Sequence, residues 1–367
     1  MDKRLLKNFD YQLLIIALIL CFYGLVVISS ATQGLHVSDT FAYVRRQAIW
    51  VAVGMGGLLL AASIDYINYY RWSWYLYSCN IIFLVLVLFV GRDAGGSFRW
   101  INLGFFDFQP SELAKLIVII SLARLLVDLQ NRLPSLIRSL PLLLLFIIPP
   151  ILLIFMQPDL GTALVFIVLY FAMLFMAGVP LVNLILMACA GLATIPLFWS
   201  RLLDYQKMRL LVFLNPELDP LSYGYQLSQS MIAIGSGGVG GKGLFEGTQA
   251  HLQFLPEQHT DFIFSVLGEE LGFLGAVLLL SLYFLLIYRI LKIGSFSKDR
   301  FGALLCLGVA ALIAFQVMVN IGMSLGIMPV TGLPLPFMSY GGSAMIVNMA
   351  SLGVVLSVGM RRFKIQF

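Results

Sequence analysis

Long unbroken apolar stretches dominate this sequence and restrict it to one class of fold. Each is close to the roughly 20 residues that an α-helix needs to cross a bilayer, and ten of them lie at about 11–31, 43–63, 71–90, 110–127, 139–156, 160–178, 181–200, 262–290, 303–327 and 341–361. Of the 367 residues 60% are hydrophobic and 11% are charged, whereas soluble domains are about 45–50% apolar and about 25% charged. A membrane β-barrel would show short alternating segments instead. The sequence therefore predicts an all-α polytopic membrane protein with ten transmembrane helices, forming a single domain over 1–367.

The distribution of Lys and Arg predicts the orientation of the chain. With the N-terminus inside, most basic residues fall in short inner segments, as the positive-inside rule requires, and both termini are cytoplasmic. The longest connection, 201–261 between the seventh and eighth spans, is then extracytoplasmic. The net charge of +5 is explained by this topology, so we expect no nucleic-acid partner.

Charged residues interrupt the apolar pattern around the fourth span. Arg99 and Trp100 precede it, and the stretch QPSELAK at 109–115 opens it. Glu112 complements the positive end of the helix, whereas Lys115 lies about one turn inside the span, where a cation is costly and usually functional. Because Glu112 and Lys115 are spaced i,i+3 they share a helix face. They form either a structural ion pair or a site whose cation faces an anionic ligand.

Two short motifs flank later spans. The stretch QPDLGT at 157–162 places Asp159 at the start of the sixth span, as a helix cap or as part of a site. The stretch GSGGVGGKG at 235–243 matches G-x-G-x-x-G formally but lacks the preceding buried strand and the βαβ unit of a nucleotide site. We therefore expect no nucleotide, and interpret this stretch as a bend or re-entrant segment with free backbone N–H groups.

The densest polar cluster lies just before the eighth span. The stretch LPEQHTDFIF at 255–264 places Glu257, His259 and Asp261 at alternate positions. An N-cap at Thr260 or Asp261, or an interfacial hydrogen-bond cluster, would be a purely structural role. Two glutamates follow deeper in the span, where carboxylates must face protein, water or a cation, and this density favours a functional site.

Before the tenth span, the stretch PVTGLPLPFMSYGGS at 329–343 is too rich in proline and glycine for regular structure. We expect an ordered loop that walls a cavity, with Tyr340 and Ser343 facing inward. The fourth, sixth, eighth and tenth spans all run from outside to inside, so their positive N-terminal ends open together. If they converge, they form an anion site beside Arg99 and Lys115, which predicts a diphosphate-bearing lipid as ligand.

These stretches together resemble the SEDS family of bacterial cell-wall polymerases over about residues 10–360. The residues GTQ at 247–249 and NIGMSLGIMPVTGLPLPF at 320–337 favour the elongation branch of that family. The resemblance implies an essential catalytic aspartate before the eighth span, here Asp261. It also implies a polar substrate cavity, and with the residues singled out above the expected substrate-binding set is Arg99, Trp100, Glu112, Lys115, Asp159, His259, Tyr340 and Ser343.

The implied function is a peptidoglycan glycosyltransferase that polymerises lipid II into β-1,4-linked glycan strands at the outer face of the bacterial cytoplasmic membrane during elongation. Asp261 would act as general base, with inversion and with undecaprenyl diphosphate as leaving group. The alternatives are a lipid II flippase, another enzyme of lipid-linked sugars, and a scaffold for a transpeptidase. A flippase predicts charges spread through the membrane, whereas here they crowd one end.

The resemblance also implies partners. They are lipid II and the undecaprenyl diphosphate-linked glycan, a class B penicillin-binding protein acting as transpeptidase, other membrane proteins of the elongation machinery, and membrane lipid. A divalent cation, Mg²⁺ or Mn²⁺, bridging the acids is a further expectation, with its ligands unassigned.

Overall fold

The computed structural model describes residues 8–33, 41–93, 98–102, 104, 107–130, 136–199 and 202–361. These residues form a bundle of ten long helices, with short helices and a small sheet at one end. The long helices are α1 (Tyr11–Ala31), α2 (Ala42–Ser63), α3 (Tyr66–Val90), α4 (Pro110–Asp128), α5 (Leu136–Met156), α6 (Leu160–Met176), α7 (Leu181–Trp199), α11 (Ile263–Ser295), α12 (Arg300–Ser324) and α13 (Gly342–Met360). Three short helices lie between α7 and α11, namely α8 (Asp204–Leu214), α9 (Tyr223–Gly237) and α10 (Thr248–His251).

The ten long helices coincide with the ten apolar stretches, so the predicted all-α polytopic architecture is confirmed. Within the described residues, six of the helices are long and apolar enough to cross a membrane by length and composition, namely α1, α2, α3, α11, α12 and α13. Helix α4 differs from them because Glu112, Lys115, Arg124 and Asp128 lie within its 19 residues. Those charges pair with one another or with neighbouring groups, which is how an otherwise apolar helix tolerates them.

Helices α12 and α13 occupy the centre of the bundle. In their most apolar windows 72% and 83% of the residues are buried, against 22% in α2 and in α3. Close packing of α13 on α2 depends on Gly353, because a Cβ there would lie 2.4 Å from the Leu58 carbonyl oxygen. The peripheral helices expose Leu, Ile and Phe side chains, as expected where lipid replaces water.

The glycine-rich stretch at 235–243 wedges into α11. The N–H groups of Lys242 and Gly243 donate to the carbonyls of Glu269 and Glu270, each at 3.0 Å. Helix α11 is interrupted there at Gly272, whose φ of +61° suits glycine. The expectation of free backbone N–H groups in 235–243 is therefore wrong for these two groups, because the broken turn of α11 supplies acceptors for them.

A three-stranded antiparallel sheet, which the all-α prediction did not include, lies between α3 and α4. Its strands are β1 (Arg92–Asp93), β2 (Phe98–Asn102) and β3 (Asp107–Phe108), in the order β1-β2-β3. Strand β2 pairs with both neighbours and carries Arg99 and Trp100. This sheet fixes the backbone that presents Arg99 to the end of the bundle.

The proline-rich segment between α12 and α13 is irregular, as its composition predicts. It is nevertheless held in place, since the Ser339 hydroxyl donates to the Thr260 carbonyl at 2.6 Å and accepts from the Leu335 N–H at 2.8 Å. The Tyr283 hydroxyl of α11 donates to the Pro336 carbonyl at 2.5 Å. The segment thus packs directly on the turn that carries Asp261.

Candidate active site

Asp261 lies in a tight turn immediately before α11. Its N–H donates to the Glu257 carbonyl at 3.1 Å, and its own carbonyl accepts from the Asn320 side-chain amide at 2.9 Å. The cap of α11 is Phe262, without a side-chain capping bond, so the alternative of an N-cap at Thr260 or Asp261 is excluded. The Asp261 carboxylate makes no hydrogen bond or ion pair with the described residues, which leaves it available for chemistry.

The surroundings of Asp261 favour proton uptake. The pKa of Asp261 is raised to about 6, chiefly by burial and then by the neighbouring charge of Glu257. Arg209 and Arg99 oppose this rise, and Asp159 adds a smaller upward contribution. A general base works best when its pKa lies near the operating pH. A half-buried carboxylate with this pKa can accept a proton near neutrality and release it again.

A narrow gap separates Asp261 from Arg209 of α8. A Cβ placed on Gly332 would lie 3.3 Å from Asp261 Oδ2 and 4.0 Å from Arg209 Nη1. Gly332 has a φ of +72°, so a side chain there would be strained as well as close to both groups. The glycine keeps the gap between the carboxylate and the guanidinium open.

Arg99 and Asp159 join strand β2 to the start of α6. Arg99 Nη1 lies 3.6 Å from Asp159 Oδ2, and Arg99 Nη2 donates to the Pro158 carbonyl at 3.3 Å. Asp159 also caps α6, accepting from the Thr162 N–H at 3.0 Å and from its hydroxyl at 2.9 Å, so the cap interpretation is confirmed. Trp100 follows Arg99 on β2 and is half-buried, on the opposite side of the pleat.

The Glu112–Lys115 pair predicted from the i,i+3 spacing is present in α4. Lys115 Nζ donates to Glu112 Oε1 at 2.7 Å, with side-chain exposures of 1% and 3%. The other Glu112 oxygen and the Ser111 hydroxyl are buried without a described partner. The pair is therefore buried, and the second Glu112 oxygen and the Ser111 hydroxyl could still form hydrogen bonds with a ligand.

Contacts with neighbouring rings and backbone groups fix the last three predicted residues, His259, Tyr340 and Ser343. The rings of His259, Tyr340 and Tyr43 pack together with centroids 5.0 to 5.6 Å apart, and burial lowers the pKa of His259. Ser343 is 3% exposed; its hydroxyl accepts from the Gln109 N–H at 3.1 Å and lies 3.2 Å from the Asp107 carbonyl, to which it donates. The Ser343 hydroxyl is therefore engaged with the backbone before α4 rather than directed freely into a cavity.

These contacts connect the N-terminal ends of α4, α6, α11 and α13. Gln109 bonds Ser343 between α4 and α13, and Tyr340 N–H donates to the His259 carbonyl between α13 and α11. A Cβ on Gly161 of α6 would lie 2.6 Å from the Thr331 carbonyl oxygen of the proline-rich segment. Four positive helix ends and two arginines thus surround one polar region, which is suited to an anion.

A metal centre in this region would need several His, Cys, Asp or Glu side chains close together. Among the described residues, no group of three or more His, Cys, Asp or Glu side chains lies close enough to hold one. Glu269, deeper in α11, is occupied by Lys242 at 2.5 Å and by the Thr248 N–H at 2.9 Å. The described side chains therefore do not by themselves supply the ligands of a divalent cation.

Two residues of this region were missed in the sequence. Arg209 lies in the long connection, where basic residues count little toward topology, and only the fold brings it to Asp261. Asn320 lies inside an apolar span, and a carboxamide at that depth is a signal in itself because it must find partners. Its amide donates to the carbonyls of Asp261 and Leu333.

The fold and the site together define a multi-pass membrane protein with a polar, anion-attracting site at one end of its helix bundle. The family model described as cell cycle protein, FTSW_RODA_SPOVE, matches residues 11–364. The chain belongs to this FtsW/RodA/SpoVE family, which confirms the predicted SEDS membership.

Individual proteins are similar over nearly the whole chain. The peptidoglycan glycosyltransferase MrdB of Escherichia coli (strain K12) is 42% identical over 360 residues, covering 97% of this chain and 94% of MrdB. The crystal structure of the rod shape determining protein RodA of Thermus thermophilus has a TM-score of 0.73 at 32% identity, covering 97% of this chain and 98% of that one. A chain of a peptidoglycan synthase complex, solved to describe coordination of polymerization and crosslinking, has a TM-score of 0.83 at 33% identity, covering 97% and 99%.

Proposed function

We propose that this chain is a peptidoglycan glycosyltransferase that polymerises lipid II into β-1,4-linked glycan strands. The observation that carries the proposal is the Asp261 carboxylate, which has no hydrogen-bond or ion-pair partner among the described residues. It is half-buried and lies beside Arg209 and Arg99, where four helix ends meet. The relative MrdB is named a peptidoglycan glycosyltransferase. A flippase needs a polar path through the membrane, whereas the charged groups of the candidate site gather at one end of the bundle.

In the proposed reaction, the acceptor lipid II offers the 4-hydroxyl of its N-acetylglucosamine. Asp261 takes the hydroxyl proton as the oxygen attacks C1 of the N-acetylmuramic acid at the lipid-linked end of the growing strand. The C1–O bond to undecaprenyl diphosphate breaks, its electron pair leaves with the diphosphate, and C1 inverts to the β configuration. A positioned base contributes about 10²–10⁴-fold to such a step.

Charge that develops on the leaving diphosphate requires cationic groups. Arg99 and the positive helix ends lie in the same region as Asp261, and Lys115 lies about one turn below the start of α4. Preorganised donors of this kind stabilise a transition state more than bulk water does. Asp159 holds Arg99, and Glu112 holds Lys115, in place for that role.

The proposed location is the bacterial cytoplasmic membrane. The site would face outward, and both chain termini would lie on the cytoplasmic side. The end of the bundle opposite Asp261 carries Arg289, which pairs with Asp10 at 2.5 Å, and Arg361, which lies 3.4 Å from Asp65. A basic inner end fits the positive-inside rule. The extreme terminal segments fall outside the described residues.

The proposed protein partner is a class B penicillin-binding protein, within the membrane proteins of the elongation machinery. Support comes from the similar chain in a peptidoglycan synthase complex that couples polymerization to crosslinking. Participation of Mg²⁺ or Mn²⁺ stays a prediction, because the described acids do not form a metal site on their own.

The test is reconstitution of the full chain in liposomes with labelled lipid II, with the partner transpeptidase added and omitted. Asp261→Asn should abolish polymer formation. The matched control is Asp204→Asn, the same change at a fully exposed carboxylate on α8, which should leave polymer formation unchanged. Polymer made by Asp261→Asn at the wild-type rate would contradict the proposal, and lipid movement without any polymer would favour the flippase. The same assay with a chelator added tests the predicted divalent cation: loss of polymer formation would support it, and unchanged polymer formation would contradict it.

A further inference from the structure

Helix α8 separates two kinds of side chain on its two faces. Leu210, Leu211 and Leu214 are exposed on one face, with Leu214 78% exposed. On the other face the Tyr205 hydroxyl donates to the Pro158 carbonyl at 2.6 Å, and Val212 is buried. A short amphipathic helix beside the ends of membrane spans, with its leucines outward, is suited to the bilayer interface. Its inner face then lies at the depth of lipid phosphates.

Arg209 lies on that inner face, one helical turn after Tyr205. Its guanidinium stacks between the rings of Tyr205 and Tyr223, at 5.6 and 5.0 Å from their centroids. Its Nε is buried without a partner, and within the described part of the chain the guanidinium makes no hydrogen bond or ion pair. The two rings orient the guanidinium, and its N–H donors remain available to a ligand.

Arg99, the other arginine near Asp261, also has a buried Nε without a partner among the described residues, but it differs at its terminal nitrogens. It lies 3.6 Å from the Asp159 carboxylate and donates to the Pro158 carbonyl, so part of its capacity is used inside the protein. Arg209 is therefore the arginine beside the base whose planar donor set is available to a ligand. Arginine binds phosphate oxygens in a bidentate manner that lysine does not reproduce.

We propose that Arg209, in addition to Arg99 and the helix ends, binds the diphosphate of the polyprenyl-linked substrate from the interfacial helix α8. This inference rests on the proposed function. The Gly332 gap brings Arg209 Nη1 and Asp261 Oδ2 close to one point, so a phosphate held by Arg209 places the adjoining sugar next to the base. The exposed leucines of α8 lie in the same interface from which the lipid arrives. The ligand chemistry is a diphosphate ester, and the test separates a lipid-borne diphosphate from a free one.

The experiment measures binding of undecaprenyl diphosphate by the full chain in nanodiscs, with undecaprenol as the phosphate-free lipid and inorganic diphosphate as the soluble competitor. Loss of a charged hydrogen bond costs about 1.5–3 kcal/mol, so Arg209→Gln should weaken binding of undecaprenyl diphosphate by about 10- to 100-fold. Binding of undecaprenol should not change. Lys207→Gln is the matched control, since Lys207 is a cation on the same helix that pairs with exposed Asp204 at 3.6 Å, and it should bind like the wild type.

Arg209→Met provides a second uncharged variant, so either folded variant decides the question. Undiminished binding of undecaprenyl diphosphate by a folded Arg209→Gln or Arg209→Met protein would overturn the proposal. If inorganic diphosphate competes with undecaprenyl diphosphate for the wild type but not for Arg209→Gln, Arg209 binds the diphosphate group whether or not it is attached to a lipid. If Arg209→Gln loses binding of undecaprenyl diphosphate and inorganic diphosphate does not compete, Arg209 binds the diphosphate only when it is attached to a membrane lipid. If Asp261→Asn remains active, the proposed function fails; if Asp261→Asn is inactive but Arg209→Gln binds normally, only the assignment of Arg209 fails.

Discussion

The side-chain amide of Asn320 donates to the main-chain carbonyl of Asp261 at 2.9 Å. The same amide donates to the Leu333 carbonyl at 2.8 Å, so one fully buried side chain of α12 ties the turn of the candidate base to the proline-rich segment. Neither partner is in regular secondary structure. The position of Asp261 therefore depends on a central helix that does not itself contribute a reacting group.

Replacing Asn320 should lower catalysis through geometry. Asn320→Ala leaves two carbonyls without their donor, and a displacement of about 1 Å at a catalytic group can cost about 10²-fold. We expect kcat for polymerisation to fall at least about 10-fold while KM for lipid II changes little, measured by steady-state kinetics in liposomes. Ser324→Ala, which removes a hydrogen bond to the Asn320 carbonyl one turn along α12, is the control and should retain most activity. A loss confined to KM would contradict the positioning role.

The rate should depend on pH through Asp261. Because its pKa is raised to about 6 and only the carboxylate can accept a proton, the rate should fall as the pH drops through about 6. Arg209 lowers this pKa and Glu257 raises it. Arg209→Gln should therefore move the acid limb of the pH–rate profile to higher pH, and Glu257→Gln should move it to lower pH.

The control for these opposite shifts is Lys207→Gln, which removes a charge from α8 without belonging to the set that acts on Asp261. Its acid limb should coincide with that of the wild type. Shifts of Arg209→Gln and Glu257→Gln in the same direction would show that the limb reports some other group.

The Glu112–Lys115 pair should contribute both to the stability of the fold and to polymerisation activity. Removing one partner of a buried pair typically costs about 3–5 kcal/mol, because the other charge is left uncompensated. We expect Lys115→Met and Glu112→Gln each to lower thermal stability in detergent more than the double variant does. The double variant should regain stability without regaining polymerisation. Recovery of full activity by the double variant would show that the pair serves folding alone.

Gly332 should tolerate no side chain. In Gly332→Ala the new methyl would lie 3.3 Å from Asp261 Oδ2 on a backbone with a φ of +72°, so we expect at least about a 10-fold loss of kcat from displacement of the carboxylate. Gly240→Ala is the control, because a Cβ there meets no atom of the described residues within 4 Å. Equal activity of the two alanine variants would contradict the close approach.

Much of the fold could be predicted because the bilayer imposes it. Apolar runs of span length located the ten long helices, and the i,i+3 spacing of Glu112 and Lys115 predicted their pairing. A helix cap was one of the two roles considered for Asp159, because its motif has the local chemistry of a helix start. All three inferences rest on contacts close in sequence or on a length fixed by the membrane.

What could not be predicted depends on contacts between distant segments. Strands β1 and β3 have two residues each, too short for an alternation to appear in the sequence. The N–H groups of Lys242 and Gly243 were expected to be free because their acceptors lie 27 residues further on in each case. Arg209 reaches Asp261 only because α8 folds back over the start of α6, which no local pattern indicates.

Asp261 as the proton acceptor is the central claim, and it is tested most directly by measuring lipid II binding and polymer formation on the same reconstituted samples of wild type, Asp261→Asn and Asp204→Asn. We predict that Asp261→Asn binds lipid II within a few-fold of the wild type and loses polymerisation by about 10²-fold or more, whereas Asp204→Asn keeps both the binding and the polymerisation of the wild type. Polymer formation by Asp261→Asn at the wild-type rate would contradict it.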